Sequence, residues 1–335
     1  MTATPTSPAS RTTPEAAELG LLYYALGGGH GHVMRGLAVL GALRAGVIVL
    51  PPALAPWADA LGVKHIAVPD ARDLSWRDRL PLVDLTIVDV FPRGVVGELA
   101  AHRGTPQWLV TRRVAPSYYL DSAVRAAIES QYELIVWTEE PPAPLVSLRV
   151  PAVRIAPVLL DTPALGRAEA RAGLGITDER PLILALGSGD PTRQANLRGL
   201  LAKIAARADA SLRFVTDDLP ARGDVVRLFP AAPWLAAADL VVAAGGYHAV
   251  HETRRAGVPV VFVPQRRRYD DQAWRVQDEP VARTPAELEA AVRWLLARRG
   301  HVEKRESAGA RMLAALIERR MQRAVLAKEQ ITAMA

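Results

Sequence analysis

Short apolar segments alternate with amphipathic segments along most of the chain, and this alternation occurs twice. In the first half, the apolar residues 21–26 end in glycines, and residues 33–45 follow with apolar positions at helical spacing. A second alternation begins with the apolar residues 181–186, which again end in a glycine turn. Apolar strands separated by amphipathic helices are typical of parallel sheets covered by helices. The pattern therefore predicts an α/β protein with two similar halves.

Breaks in this alternation divide the chain into five predicted segments. Residues 1–18 are rich in Thr, Pro and Ala and contain no apolar stretch, which predicts a flexible tail. Residues 19–158 and 181–300 form two Rossmann-like domains, joined by the polar, Pro- and Gly-containing linker 159–180. In residues 301–335 the apolar positions form one stripe with arginines opposite, which predicts a C-terminal amphipathic helix.

Two predicted strands bring charged residues to the edge of the first sheet. Residues 82–90 are predicted as a strand, with a helix over 94–102 after it. Asp89 lies near the end of that strand, and we interpret it as a helix cap or turn residue, with a catalytic base as the alternative. Arg112 and Arg113 follow another strand and are interpreted as surface residues, with contact to an anionic acceptor as the alternative.

The composition narrows the class of protein. Half of the 335 residues are hydrophobic, as in folded globular proteins, and no apolar run approaches the ~20 residues of a membrane-spanning helix. The absence of cysteine excludes disulfides, thiolate nucleophiles and cysteine metal sites, and it agrees with a cytoplasmic location. The net charge is +6, but no aromatic stacking motif or known reader module indicates nucleic-acid binding.

A glycine-rich turn, Gly27–His32, reads GGGHGH between the first strand and the first helix. Glycines allow a sharp turn and a close ligand approach, and N–H groups at a helix start can face an anion. Gly28, Gly29 and Gly31 are therefore candidate binding residues. The dinucleotide fingerprint requires Gly or Ala where this chain has His32, and a clear acidic residue about 20 residues later that is missing here. The turn indicates an anionic ligand other than a dinucleotide.

His32 and, second, His30 are the candidate catalytic bases in this turn. A neutral imidazole at the ligand-binding edge of the sheet can accept a proton from a hydroxyl nucleophile. The alternative for His32 is a structural role, in which it caps the helix or bonds a backbone carbonyl. The residues by themselves leave both interpretations open.

A matching turn occurs in the second half. Residues 243–248 (AAGGYH) end a strand and begin a helix, and Glu252 lies one turn into that helix. After the next strand come Asp271 and Gln272. Backbone N–H groups can bind a phosphate at such a turn, while nearby acidic and amide groups can bind sugar hydroxyls. One such edge in each half predicts a ligand cleft between the domains.

The two turns together resemble the signatures of a known enzyme family. The segment GGGHGHVMRGLAVLGALRAG is similar to the opening of the GT-B glycosyltransferases typified by the lipid-II-forming N-acetylglucosaminyltransferase. The segment GGYHAVHETRRAGVPVVFVP, followed by DDQAW, is similar to their second signature, and order and spacing agree across about residues 21–300. The resemblance implies the GT-B fold, in which two Rossmann-like domains face a central cleft.

The resemblance also implies roles for individual residues. His32 matches the loop histidine near the acceptor and the transferred sugar, and Glu252 matches the glutamate that bonds the ribose hydroxyls of UDP. Gln272, with Asp271 as a second candidate, matches the residues that hold the donor sugar. Ser188 matches the loop that faces the diphosphate. The remaining donor-binding candidates are Gly187, Gly245, Gly246, Tyr247 and His248.

The chain departs from the family pattern at several places, one of which is an abbreviated stretch after Gln272. His30 replaces a small residue, and Arg35, an acceptor-side candidate, replaces the usual Pro. The Ser/Thr-rich phosphate turn expected near residues 245–249 is replaced by GGYHA. Phosphate contacts are then expected from backbone N–H groups, the helix dipole and Arg266–Arg268.

Carried over to this chain, the resemblance implies a glycosyltransferase of the hexosyltransferase type. The expected reaction is an inverting, metal-independent transfer from a nucleoside diphosphate sugar, first of all a UDP-sugar, to a hydroxyl acceptor, without a cofactor. A lipid-linked or anionic acceptor and a peripheral membrane contact are compatible with it. The alternatives are a sugar-nucleotide epimerase of the same fold, which buried carboxylates in the cleft would favour, and a non-catalytic nucleotide-sugar-binding protein.

Overall fold

The computed structural model describes residues 20–27, 29–79, 83–99, 105–142, 148–298 and 302–334. The predicted flexible tail, residues 1–18, and the candidate Gly28 lie outside the described residues. Within the described part of the chain, the strands form two sheets in which every pair of neighbouring strands is parallel.

The first sheet has seven strands in the order β3-β2-β1-β4-β5-β6-β7. They are β1 (Leu21–Tyr24), β2 (Val47–Leu50), β3 (His65–Ala67), β4 (Leu85–Asp89), β5 (Gln107–Thr111), β6 (Leu134–Trp137) and β7 (Ala152–Arg154). Its helices are α1 (His30–Leu43), α2 (Ala55–Ala60), α3 (Pro116–Leu120) and α4 (Ser122–Gln131). The strand order reverses between β1 and β4, and such a reversal leaves a crevice at the carboxyl ends of the strands where ligands bind.

The second sheet repeats this arrangement with five strands in the order β10-β9-β8-β11-β12. They are β8 (Leu182–Leu186), β9 (Ser211–Val215), β10 (Val225–Val226), β11 (Leu240–Ala243) and β12 (Val260–Phe262). Its helices are α5 (Arg167–Gly173), α6 (Pro191–Arg207), α7 (Tyr247–Ala256), α8 (Gln272–Arg275) and α9 (Pro285–Arg298). The order reverses between β8 and β11, so the second domain has its own crevice at those two strand ends.

The central strands of both sheets are buried on both faces. Ile87 and Val88 of β4, and Val241 and Val242 of β11, point to opposite faces of their sheets and have no exposed surface. Parallel strands covered by helices on both sides consist of continuous apolar runs, because neither face meets water. This is why the apolar runs in the sequence locate these strands.

The segment 159–180, predicted as a linker, contains the helix α5. Its residues Ala170, Leu174 and Ile176 are buried in the core of the second domain. The apolar positions in this polar segment are spaced so that one side of α5 and the turn after it face that core. Part of the segment therefore packs on the C-terminal domain.

The C-terminal helix α10 (Gly309–Met334) packs against α1 of the first domain. Leu313, Ile317 and Met321 lie in the same core cluster as the apolar residues of α1. The chain thus returns to the first domain after completing the second. At this crossing a Cβ atom on Gly309 would lie 2.2 Å from the carbonyl oxygen of Ala156, so only glycine fits.

The helix predicted over residues 94–102 is wrong for the described residues 94–99, which form turns. Gly94 and Gly97 adopt φ values of +76° and +91°, in the left-handed region that glycine favours. The carboxylate of Glu98 accepts hydrogen bonds from the N–H groups of Val95 and Val96. These local bonds replace those that a helix would make.

Candidate active site

The two glycine turns found in the sequence face each other across the domains. Gly29 is the N-cap of α1 and Gly246 is the N-cap of α7. Because glycine has no side chain, no N-cap side chain covers either helix start. The Nε2 atom of His248 donates to the carbonyl oxygen of Gly31 at 3.1 Å, which joins the two helix starts. Both helix starts therefore line one shared space between the domains.

This interdomain cleft has a volume of about 620 Å³, within the ~300–1,000 Å³ usual for small-molecule sites. Most of the candidate residues line it, from both domains. They are Gly29, Gly31, His30, His32, Arg35, Gly187, Ser188, Gly246, Tyr247, His248, Glu252 and Gln272. Of the described candidates, Gly245 and Asp271 lie outside this lining.

His32 is oriented by the carboxylate of Asp89. Since α1 begins at His30, His32 lies in its first turn, while Asp89 ends the neighbouring strand β4. The Nδ1 atom of His32 lies 2.7 Å from Oδ1 of Asp89. An ionised carboxylate only accepts hydrogen bonds, so Nδ1 carries the proton and Nε2 is the acceptor nitrogen. The interpretation of Asp89 as a cap or turn residue is wrong, because its side chain is buried against His32.

Arg35 and Tyr23 complete the partners of Asp89. Arg35 donates from Nε to Oδ2 at 2.9 Å and from Nη2 to Oδ1 at 2.5 Å. The hydroxyl of Tyr23 donates to Oδ2 at 2.6 Å, and burial followed by the charge of Asp89 raises its pKa well above the ordinary value. With His32, four donors therefore occupy the approximately four lone-pair sites of this carboxylate. We call His32, Asp89, Arg35 and Tyr23 the Asp89 cluster.

The charges of this cluster define its protonation state. Burial would raise the pKa of Asp89, but the charge of Arg35 and the hydrogen bond from His32 outweigh it and hold that pKa well below its usual range. Burial lowers the pKa of His32; Asp89 opposes this shift, and Arg35 and Arg112 reinforce it. At neutral pH, Asp89 is thus a carboxylate and His32 a neutral imidazole.

The two candidate bases, His32 and His30, differ in how they are packed. The ring of His32 stacks on Phe91 with centroids 5.3 Å apart, and a Cβ atom on Gly27 would lie 2.2 Å from the imidazole. Gly27 therefore makes the space that the imidazole occupies. His30 is exposed, contacts Trp57 edge-on at 4.9 Å and has no hydrogen-bond partner among the described residues. Of the two, His32 alone is held by a carboxylate.

The donor-side candidates lie on the opposite wall of the cleft. Glu252 is 8 % exposed, and its Oε1 atom lies 3.3 Å from Nδ1 of His248. Ser188 follows β8, and its Oγ atom accepts a hydrogen bond from Arg267 at 3.4 Å. Arg267 and Arg268 also line the cleft and are exposed. This wall offers two arginines and the open start of α7 to an anion.

Gln272 and Asp271 are engaged with the protein. Gln272 accepts from the N–H of Gln265 at 2.8 Å and donates to Oδ2 of Asp270 at 3.1 Å. Asp271 caps α8 and accepts from Nε of Arg113 at 3.1 Å, so it joins the two domains. The structure places Gln272 in the cleft wall and Asp271 in the domain contact.

A second buried carboxylate, Glu139, follows β6 and binds the other domain. Arg275 donates to it from Nε at 2.6 Å and from Nη2 at 3.0 Å, and Nε2 of His251 lies 2.9 Å away. Arg275 also donates to Asp270 at 2.9 Å, and Arg112 donates to the same carboxylate. The interpretation of Arg112 as a surface residue is therefore wrong. We call these five residues the interface cluster.

Burial and pairing also act on the interface cluster. Burial would raise the pKa of Glu139, but Arg275 and the hydrogen bond from His251 hold it well below its usual range. Burial lowers the pKa of His251 despite the neighbouring Glu139. Both carboxylate clusters are consequently charged at their carboxylates and neutral at their histidines near pH 7.

Two further observations concern metals and membranes. In the part of the chain that the structure describes, no group of three or more His, Cys, Asp or Glu side chains could hold a metal ion. Among the described helices, none is long and apolar enough to cross a membrane. Metal independence and the cytoplasmic location stay predictions.

No family model matches the chain. The chain is 35 % identical over 125 residues to the UDP-N-acetylglucosamine–N-acetylmuramyl-(pentapeptide) pyrophosphoryl-undecaprenol N-acetylglucosamine transferase of Nocardia farcinica, covering 33 % of this chain and 32 % of the relative. It is 28 % identical over 214 residues to the Saccharopolyspora erythraea enzyme of the same name, covering 57 % and 55 %. The chain thus spans about a third to just over half of the length of these curated relatives.

Solved glycosyltransferase structures superpose on nearly the whole chain. The glycosyltransferase of kitacinnamycin matches with a TM-score of 0.57 and 17 % identity, over 90 % of this chain and 99 % of that one. MurG of Acinetobacter baumannii matches with a TM-score of 0.52 and 17 % identity, over 89 % and 98 %. The glycosyltransferase SsfS6 of Streptomyces sp. SF2575, in complex with thymidine diphosphate, matches with a TM-score of 0.56 and 15 % identity, over 89 % and 99 %.

The fold is GT-B. The prediction of an α/β protein with two Rossmann-like domains around a cleft is confirmed, as is the resemblance to the lipid-II-forming transferases. In this GT-B chain the N-terminal domain supplies the Asp89 cluster, and the C-terminal domain supplies the start of α7 and Glu252.

The sequence did not indicate three of the residues in the Asp89 cluster and the interface cluster of this GT-B chain. Tyr23 lies within an apolar strand and gives no polar signal, while Glu139 and Arg275 are 136 positions apart. A usable signal for Glu139 was its place after β6, at the sheet edge where Asp89 also lies. Carboxylates that follow parallel strands converge on the ligand-binding edge.

Proposed function

We propose that the protein is an inverting, metal-independent glycosyltransferase that moves a sugar from a nucleoside diphosphate donor, first of all a UDP-sugar, to a hydroxyl acceptor. The observation that carries the proposal is that His32, which Asp89 holds by a hydrogen bond, lies in the wall of the cleft that the start of α7 also lines. A histidine held in this tautomer is a general base, and an open helix start is a site for a diphosphate.

His32 is the base in the proposed reaction. The acceptor hydroxyl gives its proton to Nε2 of His32 as its oxygen attacks the anomeric carbon of the donor sugar. The bond between that carbon and the diphosphate oxygen breaks, and the pair of electrons leaves with the nucleoside diphosphate. Because attack and departure occur on opposite faces, the anomeric configuration inverts. Asp89 stabilises the imidazolium that forms.

The C-terminal domain binds the leaving group in this proposal. The N–H groups at the start of α7, after Gly246, bind the diphosphate and are aided by the helix dipole. Arg267 and Arg268 add positive charge at the same wall. Glu252 accepts hydrogen bonds from the ribose hydroxyls, Gln272 and Asp271 hold the donor sugar, and Ser188 faces the diphosphate.

The relatives support the class of donor. The names of the curated relatives specify UDP-N-acetylglucosamine as donor and a pyrophosphoryl-undecaprenol acceptor. A structural neighbour with the same fold is in complex with thymidine diphosphate. The cleft wall carries His32, and the buried carboxylates of Asp89 and Glu139 are each paired with an arginine, which favours the transferase over the epimerase alternative.

The proposal is tested by a donor screen on the full chain. UDP-, GDP- and dTDP-sugars are incubated with the protein and hydroxyl acceptors, and binding is followed by thermal shift and turnover by release of the nucleoside diphosphate. We expect a UDP-sugar to stabilise the protein and to be turned over. His32→Ala should then lower kcat by about 10²–10⁴-fold, because general-base catalysis contributes that factor.

His65→Ala is the matched control. His65 lies on β3, its Nδ1 atom is 3.6 Å from Asp59, and the residue does not belong to the cleft lining. We expect this variant to retain the wild-type rate. If no nucleoside diphosphate or nucleotide sugar binds at millimolar concentration, the proposed function is wrong. If donors bind and His32→Ala turns over like wild type, the assignment of the base is wrong.

A further inference from the structure

Arg35 occupies a position that is costly for a charged side chain. It is 1 % exposed on α1, and its Nη1 atom is buried without a hydrogen-bond partner among the described residues. Its guanidinium carbon lies 5.0 Å from the ring centroid of Tyr247. A buried cation is unfavourable unless a charge partner compensates it. Holding α1 on the sheet requires apolar contacts and does not require such a charge.

The compensating partner of Arg35 is the carboxylate that also binds His32. The Oδ1 atom of Asp89 accepts from Nδ1 of His32 and from Nη2 of Arg35, so one oxygen serves both. A carboxylate that paired with an imidazole alone would favour its protonated form. Arg35 provides a permanent positive charge at the same carboxylate instead.

We propose that Arg35 is a positioning residue for His32, which locks the Asp89 carboxylate against Nδ1 and neutralises that carboxylate so that Nε2 stays free of a proton. The inference rests on the proposed function, in which His32 is the base. It extends that function to a side chain that acts through Asp89.

Groups from several elements face the Asp89 cluster. Arg112, which follows β5, acts with Arg35 to lower the pKa of His32, and Asp89 acts to raise it. Tyr23 of β1 bonds Asp89 and stays neutral, and the neutral Tyr247 of α7 contacts Arg35. Removal of the Arg35 charge therefore leaves Arg112 as the cation that opposes Asp89.

The experiment replaces Arg35 by neutral side chains and follows His32 directly. Arg35→Met keeps an unbranched side chain without the charge, and Arg35→Gln is a second neutral variant that retains a hydrogen-bond donor. Arg35→Lys keeps the charge. The protonation of His32 is measured by NMR titration of the histidine ring carbons in the full chain, with the His32 signal assigned by its loss in His32→Asn. His65 is the internal reference.

In both neutral variants we expect the titration midpoint of His32 to move to higher pH by about one unit, because an unbalanced carboxylate at hydrogen-bond distance has an effect of this size. His65 should not move. Arg35→Lys should stay close to wild type. Unchanged His32 midpoints in Arg35→Met and Arg35→Gln, or an equal shift in Arg35→Lys, would overturn the proposal.

Turnover gives the second readout. The acid limb of the pH profile of kcat/KM should move to higher pH in the neutral variants. At pH values above that limb, kcat/KM should recover. A purely structural role of Arg35 would lower the rate equally at every pH. The NMR titration needs no turnover, so a moved midpoint without transfer to any acceptor would contradict the proposed function and leave the Arg35 coupling intact.

Discussion

Two buried carboxylates in this protein have the same kinds of partner and different connections. Asp89 binds Arg35 and His32, which both lie on α1 of its own domain. Glu139 also binds an arginine and a histidine, but both come from the C-terminal domain. The Asp89 cluster therefore persists when the domains separate, whereas the interface cluster exists only when they are together.

The Asp89 cluster and the interface cluster are chemically similar, but their connections suit them to different roles. A base must keep its tautomer and proton affinity before the donor binds, so its partners belong on one rigid element. Charges that cross a cleft instead make one domain arrangement more stable than another. Separation of the domains would hydrate Arg275 and Glu139, while the hydrogen bonds of Arg35 and His32 to Asp89 would stay within one domain.

Removal of the Asp89 charge should have the largest effect. Asp89→Asn leaves the guanidinium of Arg35 buried without a countercharge, and we expect a loss of about 3–5 kcal/mol in the free energy of unfolding. Urea denaturation followed by circular dichroism measures it. The control is Asp70→Asn, since Asp70 forms a solvent-exposed pair with Arg72, and exposed pairs contribute ~0–1 kcal/mol. Equal losses in the two variants would contradict the buried charge pair.

Removal of the Glu139 charge should have a smaller effect on stability and a specific effect on shape. In Glu139→Gln, Arg275 keeps Asp270 and gains water when the domains separate, so we expect a loss of about 1–2 kcal/mol. We also expect a larger radius of gyration by small-angle X-ray scattering and weaker donor binding. Asp161→Asn, which removes an exposed pair with Arg311, is the control. A wild-type radius in Glu139→Gln would show that the cluster does not hold the domains together.

Mild acid should have the smallest effect. The folded-state pKa values of His32 and His251 are lowered, so below about pH 6.5 the unfolded chain binds more protons and stability falls as pH falls. Each histidine contributes at most about 0.7 kcal/mol between pH 7 and pH 6. The depressed carboxylates Asp89 and Glu139 add a second loss only below about pH 4. The difference between the urea midpoints at pH 7 and pH 6 should be smaller in His251→Asn than in the wild-type protein. An identical difference would contradict this assignment.

The sequence pattern predicts most of the fold because the strands are continuous apolar runs and the turns carry glycines. It failed at residues 94–99, where the glycines at 94 and 97 and the Glu98 carboxylate make local bonds that no periodicity reveals. It also missed α5, which is mostly polar in sequence and uses few apolar positions to join the second core.

Only the part of the candidate site that consists of local motifs could be predicted from the sequence. The histidine turn and the α7 turn are local motifs, so His32 and Glu252 could be proposed from short segments. The pairing of His32 with Asp89 depends on β4 lying beside β1, and spacing alone does not give strand order. The interface cluster depends on how two domains dock, which is a property of the whole chain.

The return of α10 to the first domain has a consequence for synthesis of the protein. The core of the first domain contains Leu313 and Ile317, which the ribosome makes after the entire second domain. Domains usually fold as units in the order in which they emerge. Here the second domain can finish folding first. Until α10 is made, the domain that carries His32 leaves exposed the apolar face that α10 covers. A chaperone that binds exposed apolar surface during translation would meet α1 before it meets α10.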